Sequence, residues 1–220
     1  SEIAEDFLQG TESIVCIGTK PPVSFFAYPD KKSFLSPDEA ELFELCSVEE
    51  NGYEALALLS ELSGSPKIAN ELIRPYIADV PTSGDLDVTT LGPLIADIMP
   101  EESIVSDESA TSSLIVTPHA LQAKPHDWLA LTGGSIGQGL PLAIGASIAK
   151  PDRPVITLHG DGGAMYTVQA LWTQARENLN ITNIIFSNRS YEILKIELDR
   201  VQAVETGERA ASMFSMDNPP

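Results

Sequence analysis

Beyond residue 100 one pattern recurs along this chain. A short run of apolar and β-branched residues breaks at glycine or small polar residues, and a stretch of helical period follows. The runs read "SIVSDES" (103–109), "DWLALTGG" (127–134), "PVITLHGDGG" (154–163) and "ITNIIFSN" (181–188). The stretches "GQGLPLAIGASIAK" (137–150), "AMYTVQALWTQARENL" (164–179) and "EILKIELDRVQ" (192–202) are predicted as helices. The second of these sets Val168, Leu171, Trp172, Ala175 and Leu179 on one face. "TLGPLIADIMP" supplies another helix, beginning near Thr89. Short apolar strands without strict alternation are buried on both faces, and strands that alternate with helices pair in parallel. The pattern therefore predicts an α/β fold: a parallel sheet covered by helices on both faces.

The first part of the chain is sparser. "SIVCIG" (13–18) and "AELFELC" (40–46) are predicted strands, and "GYEALALLSELSG" (52–64) is a helix with Ala55, Leu58, Leu59 and Leu62 in step. This portion is a partial α/β unit, too short to close a sheet of its own. Residues 66–88 carry prolines and many small polar residues and are expected to link residues 1–65 to a domain over 89–220. The tail "TGERAASMFSMDNPP" has little apolar period and is expected to be mobile.

Composition excludes some functions. The formal net charge is −19, which repels nucleic-acid phosphates and anionic lipid surfaces, so neither is an expected partner. Cys16 and Cys46 lie in apolar runs and read as buried, reduced thiols. No signal peptide or membrane span is read, and the cytoplasm is the expected compartment. His119, His126 and His159 are not in a metal-ligand spacing; His159 reads as a packed histidine at a strand end. Asp107 and Glu108 are neighbours in an extended segment, so they point to opposite faces and form no acid–base pair.

Ligands of open parallel sheets bind beyond the carboxyl ends of the strands. One such end is "LTGGSIGQG", another is "HGDGGA", a third is "FSNRSY". Glycines at a helix start favour phosphate through backbone N–H groups. Asp161 in that place would repel the phosphate unless a divalent cation stood between them. Asp161, the amide oxygen of Asn188, a main-chain carbonyl just beyond it and diphosphate oxygens would supply the oxygen shell that Mg²⁺ prefers. A dinucleotide-binding domain is the poorer alternative, because "GDGGAM" puts an anion where its pyrophosphate would lie.

The stretch from Gly160 to Asn188, "GDGGAMYTVQALWTQARENLNITNIIFSN", resembles the Gly-Asp-Gly…Asn fingerprint of the thiamine-diphosphate enzymes. "TGGSIGQGLPLAIGASIAKPDRPVITLHGDG" and "IVSDESATSS" resemble the branch that holds acetolactate synthases and benzoylformate decarboxylase, and "IVCIGTKPPVSFFAYP" resembles the late part of that family's middle domain. The resemblance implies a thiamine-diphosphate-binding fold over 89–220. It also implies roles for named residues. Asp161, Asn188 and the carbonyl of Ser190 would bind Mg²⁺. Gly162, Gly163 and Tyr191 would donate backbone N–H to the diphosphate, with hydroxyl contacts from Ser109 and Thr111. Gly134 would accept from the aminopyrimidine, and Ile136 would be the apolar wedge under the cofactor's bend.

The family's activating glutamate belongs to a pyrimidine-binding domain, and nothing in the chain resembles that domain. The expectation is a partial enzyme, a fragment or one half of a split one, inactive alone and dependent on another chain. The first reading is an acetolactate-synthase-like activity on a 2-oxo acid such as pyruvate. The alternatives are a 2-oxo acid decarboxylase of the benzoylformate or pyruvate decarboxylase type and a non-catalytic cofactor-binding subunit. The position that matches a benzoylformate decarboxylase histidine is Ala27. FAD binding is left open. The apolar helices over 137–149 and 164–179 exceed what the chain can cover, so a homodimer or higher homo-oligomer is expected.

Overall fold

The computed structural model describes residues 2–28, 30–64, 80, 83–120, 122–201 and 207–217. The chain divides into two compact units, Ser1–Glu71 and Leu72–Pro220. Most of the segment expected as a linker, 66–88, lies outside the described residues. No helix among the described residues is long and apolar enough to cross a membrane.

The first unit holds α1 (Glu2–Leu8), β1 (Ser13–Ile17), β2 (Glu41–Cys46) and α2 (Gly52–Leu62). Helix α1 went unread in the sequence. The two strands pair in parallel, and Cys16 and Cys46 are buried free thiols. Asn51 caps α2 by accepting from the Glu54 N–H at 3.2 Å. The expected helix forms, yet none of its residues is buried. A two-stranded sheet offers too little surface to cover it.

The second unit runs α3 (Val88–Ile98), β3 (Ile104–Glu108), a 3₁₀ turn (Ala110–Ser112), α4 (Ser113–Ala120), β4 (Asp127–Ala130), α5 (Gly139–Ala149), β5 (Val155–Gly160), α6 (Asp161–Ala164), α7 (Ala170–Arg176), β6 (Ile181–Phe186), α8 (Glu192–Arg200), α9 (Glu208–Ala211) and a last 3₁₀ turn (Ser212–Phe214). The four strands lie in the order β4-β3-β5-β6, all parallel. Asp87 starts α3 by accepting the N–H groups of Thr89 and Thr90 at 2.8 and 3.0 Å.

Both faces of the sheet are covered. Val105, Ile156 and Leu158 pack against Ile95 of α3, Met99 at its C-cap, and Val116 and Ala120 of α4. Ile104 and Val155 face Ala143 of α5 on the other side. The strand period of two then decides where each polar residue goes. Ser106 and Glu108 follow Ile104 onto the α5 face, where Ser106 donates to the Gly139 carbonyl at 2.9 Å. Asp107 turns to the α4 face, and its carboxylate accepts from Thr117 at 3.5 Å.

In this unit the structure corrects three expectations and adds helix α4. The helix expected over 164–179 is two short pieces, α6 and α7, with the chain between them held by i→i−3 bonds such as Tyr166 N–H to the Gly163 carbonyl at 3.1 Å. Thr167 and Val168 are β-branched, and the Thr167 hydroxyl donates outward to the Gly137 carbonyl at 2.7 Å, which favours the break. Ala170 and Gln174 are the buried residues of α7; Val168, Leu171, Trp172 and Ala175 of the expected face are exposed, while Leu179 is half-buried. The strand expected over 127–134 stops at Ala130, because Gly133 and Gly134 both have positive φ. The tail is not loose over 207–217. The Tyr191 N–H donates to the Phe214 carbonyl at 2.9 Å, and the Met216 N–H to the Arg189 carbonyl at 2.8 Å. Helix α4 was not read from the sequence, since Pro118 sits inside it.

Candidate functional site

The sheet register builds the site. Gly160 pairs with Phe186, so the residues that leave the two strands, Asp161 and Ser187, emerge side by side. Asp161 opens α6, and its carboxylate is held by three donors. Oδ1 accepts the Gly162 N–H at 2.9 Å, and Oδ2 accepts the Arg189 N–H at 2.8 Å and the Ser187 hydroxyl at 3.3 Å. Asn188 sits in the same turn, its amide oxygen accepting the Ser190 N–H at 2.9 Å.

A pocket opens at the carboxyl ends of β3, β5 and β6. Its lining brings together Ser109, Thr111, Asp161, Gly162, Gly163, Asn188, Ser190 and Tyr191. Gly134 and Ile136 are not in that lining. They lie on the β4–α5 loop, where Ile136 is half exposed. Ala110, Ser112, Glu192 and Ile193 also line the pocket and were not singled out in the sequence. Ala110 has φ +50°, an uncommon value for a residue with a side chain, and it marks the sharp exit from β3.

Some donors assigned to a diphosphate have internal partners instead. The Tyr191 N–H is taken by Phe214, because the 212–217 segment bridges onto the 189–191 turn, and the Gly162 N–H is turned to Asp161. Ser109 is buried, and its N–H and hydroxyl both donate to Asp107 Oδ1, at 2.9 and 2.6 Å. Gly162 shows why this turn excludes side chains: a Cβ there would stand 2.8 Å from the Tyr191 ring. Among the described residues no three His, Cys, Asp or Glu converge on a common point. The oxygen donors among the lining residues are the Asp161 and Glu192 carboxylates, the Asn188 amide, main-chain carbonyls and hydroxyls, a set that suits a hard cation such as Mg²⁺ better than zinc or copper.

Beneath the pocket lies a buried pair that sequence reading missed. Glu108 and His159 are register partners on β3 and β5. Glu108 Oε1 accepts the Gly137 N–H at 2.5 Å and Oε2 the Gly139 N–H at 2.6 Å. His159 is fully buried, with Nδ1 3.0 Å from the Gly160 carbonyl and Nε2 3.0 Å from Glu108 Oε2. A carbonyl only accepts, so Nδ1 is the ring nitrogen placed to donate, and Nε2 is the one beside the carboxylate. The Nε2 approach lies off the hydrogen-bond direction, so the contact is close packing without a directed bond. Burial pushes the Glu108 carboxyl up, but His159 and the two glycine N–H groups outweigh it and hold the carboxyl below the ordinary glutamate range. The sequence signal was an acidic residue closing a buried strand, which demands partners.

Known proteins match this architecture. The family model described as thiamine pyrophosphate enzyme, C-terminal TPP binding domain, matches residues 110–220. A Mycobacterium tuberculosis protein provisionally named acetolactate synthase large subunit IlvX is 41% identical over 218 residues, covering 96% of this chain and 41% of its own length. The benzoylformate decarboxylase of Pseudomonas aeruginosa is 30% identical over 139 residues, 63% of this chain and 26% of the relative. The structure of a thiamine diphosphate-dependent 4-hydroxybenzoylformate decarboxylase from Rhodococcus jostii superposes with a TM-score of 0.67 at 23% identity, over 93% of this chain and 41% of that one. That likeness shows the fold. The chain thus spans about two fifths or less of the length of these relatives.

Proposed function

The chain belongs to the thiamine pyrophosphate enzymes, and from that premise we propose that its second unit binds Mg²⁺ and the diphosphate of thiamine diphosphate within an acetolactate-synthase-like enzyme. One observation carries the reading. The Asp161 carboxylate and the Asn188 turn meet at the ends of adjacent strands, joined by the Arg189 N–H at 2.8 Å. Asp161, the Asn188 amide oxygen and the Ser190 carbonyl would hold the cation. Gly163, Gly162 and Thr111 would face the diphosphate, with Ser109 and Tyr191 framing it. Gly134 and Ile136 on the β4–α5 loop would take the pyrimidine end, Ile136 as a stiff apolar wedge.

When bound, thiamine diphosphate supplies the carbanion chemistry that cleaves and forms bonds beside a carbonyl. The chain's own part is to bind, orient and neutralise. Asp161 contributes the negative charge that a cation needs, and its three donors fix the carboxylate's direction. The backbone of α6 offers N–H groups to anionic oxygens. The first reading of the substrate is a 2-oxo acid such as pyruvate, with two-carbon transfer, because the Mycobacterium tuberculosis relative, matched over 96% of this chain, bears the acetolactate synthase name. A 2-oxo acid decarboxylase is the second reading, favoured by the match to benzoylformate decarboxylase.

Residues 1–220 alone are expected not to turn over pyruvate, since the resemblance places the activating glutamate in a domain these residues do not resemble. A homodimer through the second unit is part of the same proposal: Met165, Val168, Leu171 and Trp172 are exposed around α7. The free, buried Cys16 and Cys46 fit a reducing compartment, and we place the protein in the cytoplasm. Calorimetry with thiamine diphosphate, with and without Mg²⁺, tests the binding. Saturable heat that EDTA abolishes is expected; no heat in either condition overturns the reading. Acetolactate or acetaldehyde formed by the purified chain with cofactor, Mg²⁺ and pyruvate would overturn the expected inactivity.

A further inference from the structure

Glu108 is not in the lining of the pocket, yet it touches both glycine turns that the proposed function employs. Its two carboxylate oxygens take the N–H groups of Gly137 and Gly139 at 2.5 and 2.6 Å, on the loop that carries Gly134 and Ile136. The Asp161–Gly163 turn presses on the same pair from the other side. A Cβ on Gly163 would meet Glu108 Oε1 and His159 Cε1, each at 3.0 Å, and a Cβ on Gly139 would meet His159 Cδ2 at 2.9 Å. Positive φ at Gly133, Gly134 and Gly137 lets the loop turn sharply, with internal bonds such as the Ile136 N–H to the Gly134 carbonyl at 2.9 Å. Besides Glu108, the tie on Gly137 is the Thr167 hydroxyl, which donates to its carbonyl at 2.7 Å.

We propose that Glu108, backed by His159, is a positioning residue that sets the β4–α5 loop against the Asp161 turn, and so sets the distance between the two ends of the bound cofactor. The inference rests on the proposed function. Charge and shape make Glu the fitting residue. Two N–H groups converge on two oxygens, and hydrogen bonds to a carboxylate are short and strong. A glutamine there offers one oxygen and one NH₂, so one glycine N–H would face a donor. An apolar residue there would leave both glycine N–H groups without an acceptor, so the carboxylate is what ties the loop to β3.

The test compares two probes on the full chain: thiamine diphosphate with Mg²⁺, which needs both turns, and inorganic pyrophosphate with Mg²⁺, which needs the Asp161 turn alone. Glu108→Gln is expected to weaken thiamine diphosphate at least about tenfold, about 1.4 kcal/mol, while pyrophosphate changes less than about twofold. Equal weakening of both probes would mean a merely structural role, and unchanged thiamine diphosphate would mean none; either result overturns the proposal. If the variant fails to fold, the unaltered chain decides. The Gly137 and Gly139 amide resonances should shift with thiamine diphosphate and Mg²⁺ and stay in place with pyrophosphate and Mg²⁺. Identical responses to the two probes overturn the proposal. An unaltered chain that binds neither probe sinks the cofactor assignment itself, a result distinct from all of these.

Discussion

Helix α5 contains two glycines whose replacement by alanine should have opposite effects. Gly139 opens the helix against the Glu108–His159 pair. A Cβ there would stand 2.9 Å from His159 Cδ2, 3.0 Å from His159 Nε2 and 3.0 Å from Glu108 Cβ. His159 is fully buried and Glu108 nearly so, so neither can retreat into solvent. Overpacking of this kind costs about 1–3 kcal/mol. Alanine's helical advantage, at most about 1 kcal/mol and less at a helix start, offsets only part of it. The net loss for Gly139→Ala is about 1–2 kcal/mol, or a fall of roughly 2–8 °C in Tm for a chain of this size. Gly145 lies in the same helix, and a Cβ there meets nothing within 4 Å. Gly145→Ala keeps the helical advantage whole and should gain about 0.5–1 kcal/mol, or roughly 1–4 °C. Thermal melts by circular dichroism at several protein concentrations read both variants. Shifts of the same sign, or a Gly139→Ala chain as stable as the parent, would refute the packing argument.

Three further predictions follow from the site. Asp161→Asn leaves one oxygen for donors that now use two, so stability should drop by only about 1 kcal/mol, while Mg²⁺-dependent cofactor affinity falls at least about tenfold, about 1.4 kcal/mol; calorimetry beside a urea melt separates the two. Glu108 has its folded pKa below the ordinary value of 4.5, so its contribution is intact above that value and lost as pH falls through the lowered one. Urea midpoints taken from pH 6 down to 3 should therefore fall more steeply for the parent than for Glu108→Gln, and parallel curves would count against the pair. Trp172 is 64% exposed on α7, and Trp172→Glu should shift sedimentation toward monomer at micromolar concentration; an unchanged profile would remove α7 from the interface.

The fold class was legible because it depends on local pattern. Buried strands lack a polar face, amphipathic helices repeat every three to four residues, and glycines mark where one gives way to the other. The polar turn after β5 was legible for the same reason, since Asp161 between glycines is a local anomaly. The break at Thr167 was not, because it depends on a hydroxyl reaching Gly137, a tertiary contact. Nor was the tail, whose order comes from bonds between Phe214 and Tyr191 and between Met216 and Arg189. Low apolar period pointed to a mobile tail, because it carries no sign of partners supplied by a distant turn.

The sequence by itself determined that Asp161 and Asn188 would leave the carboxyl ends of strands, because strand direction and residue order are properties of the chain. The tertiary structure decided which strands became neighbours. The order β4-β3-β5-β6 puts Gly160 beside Phe186 and Glu108 beside His159. No local pattern encodes that order, since it is set by how helices on both faces share one sheet. A carboxylate's partners are therefore readable only once the sheet has formed.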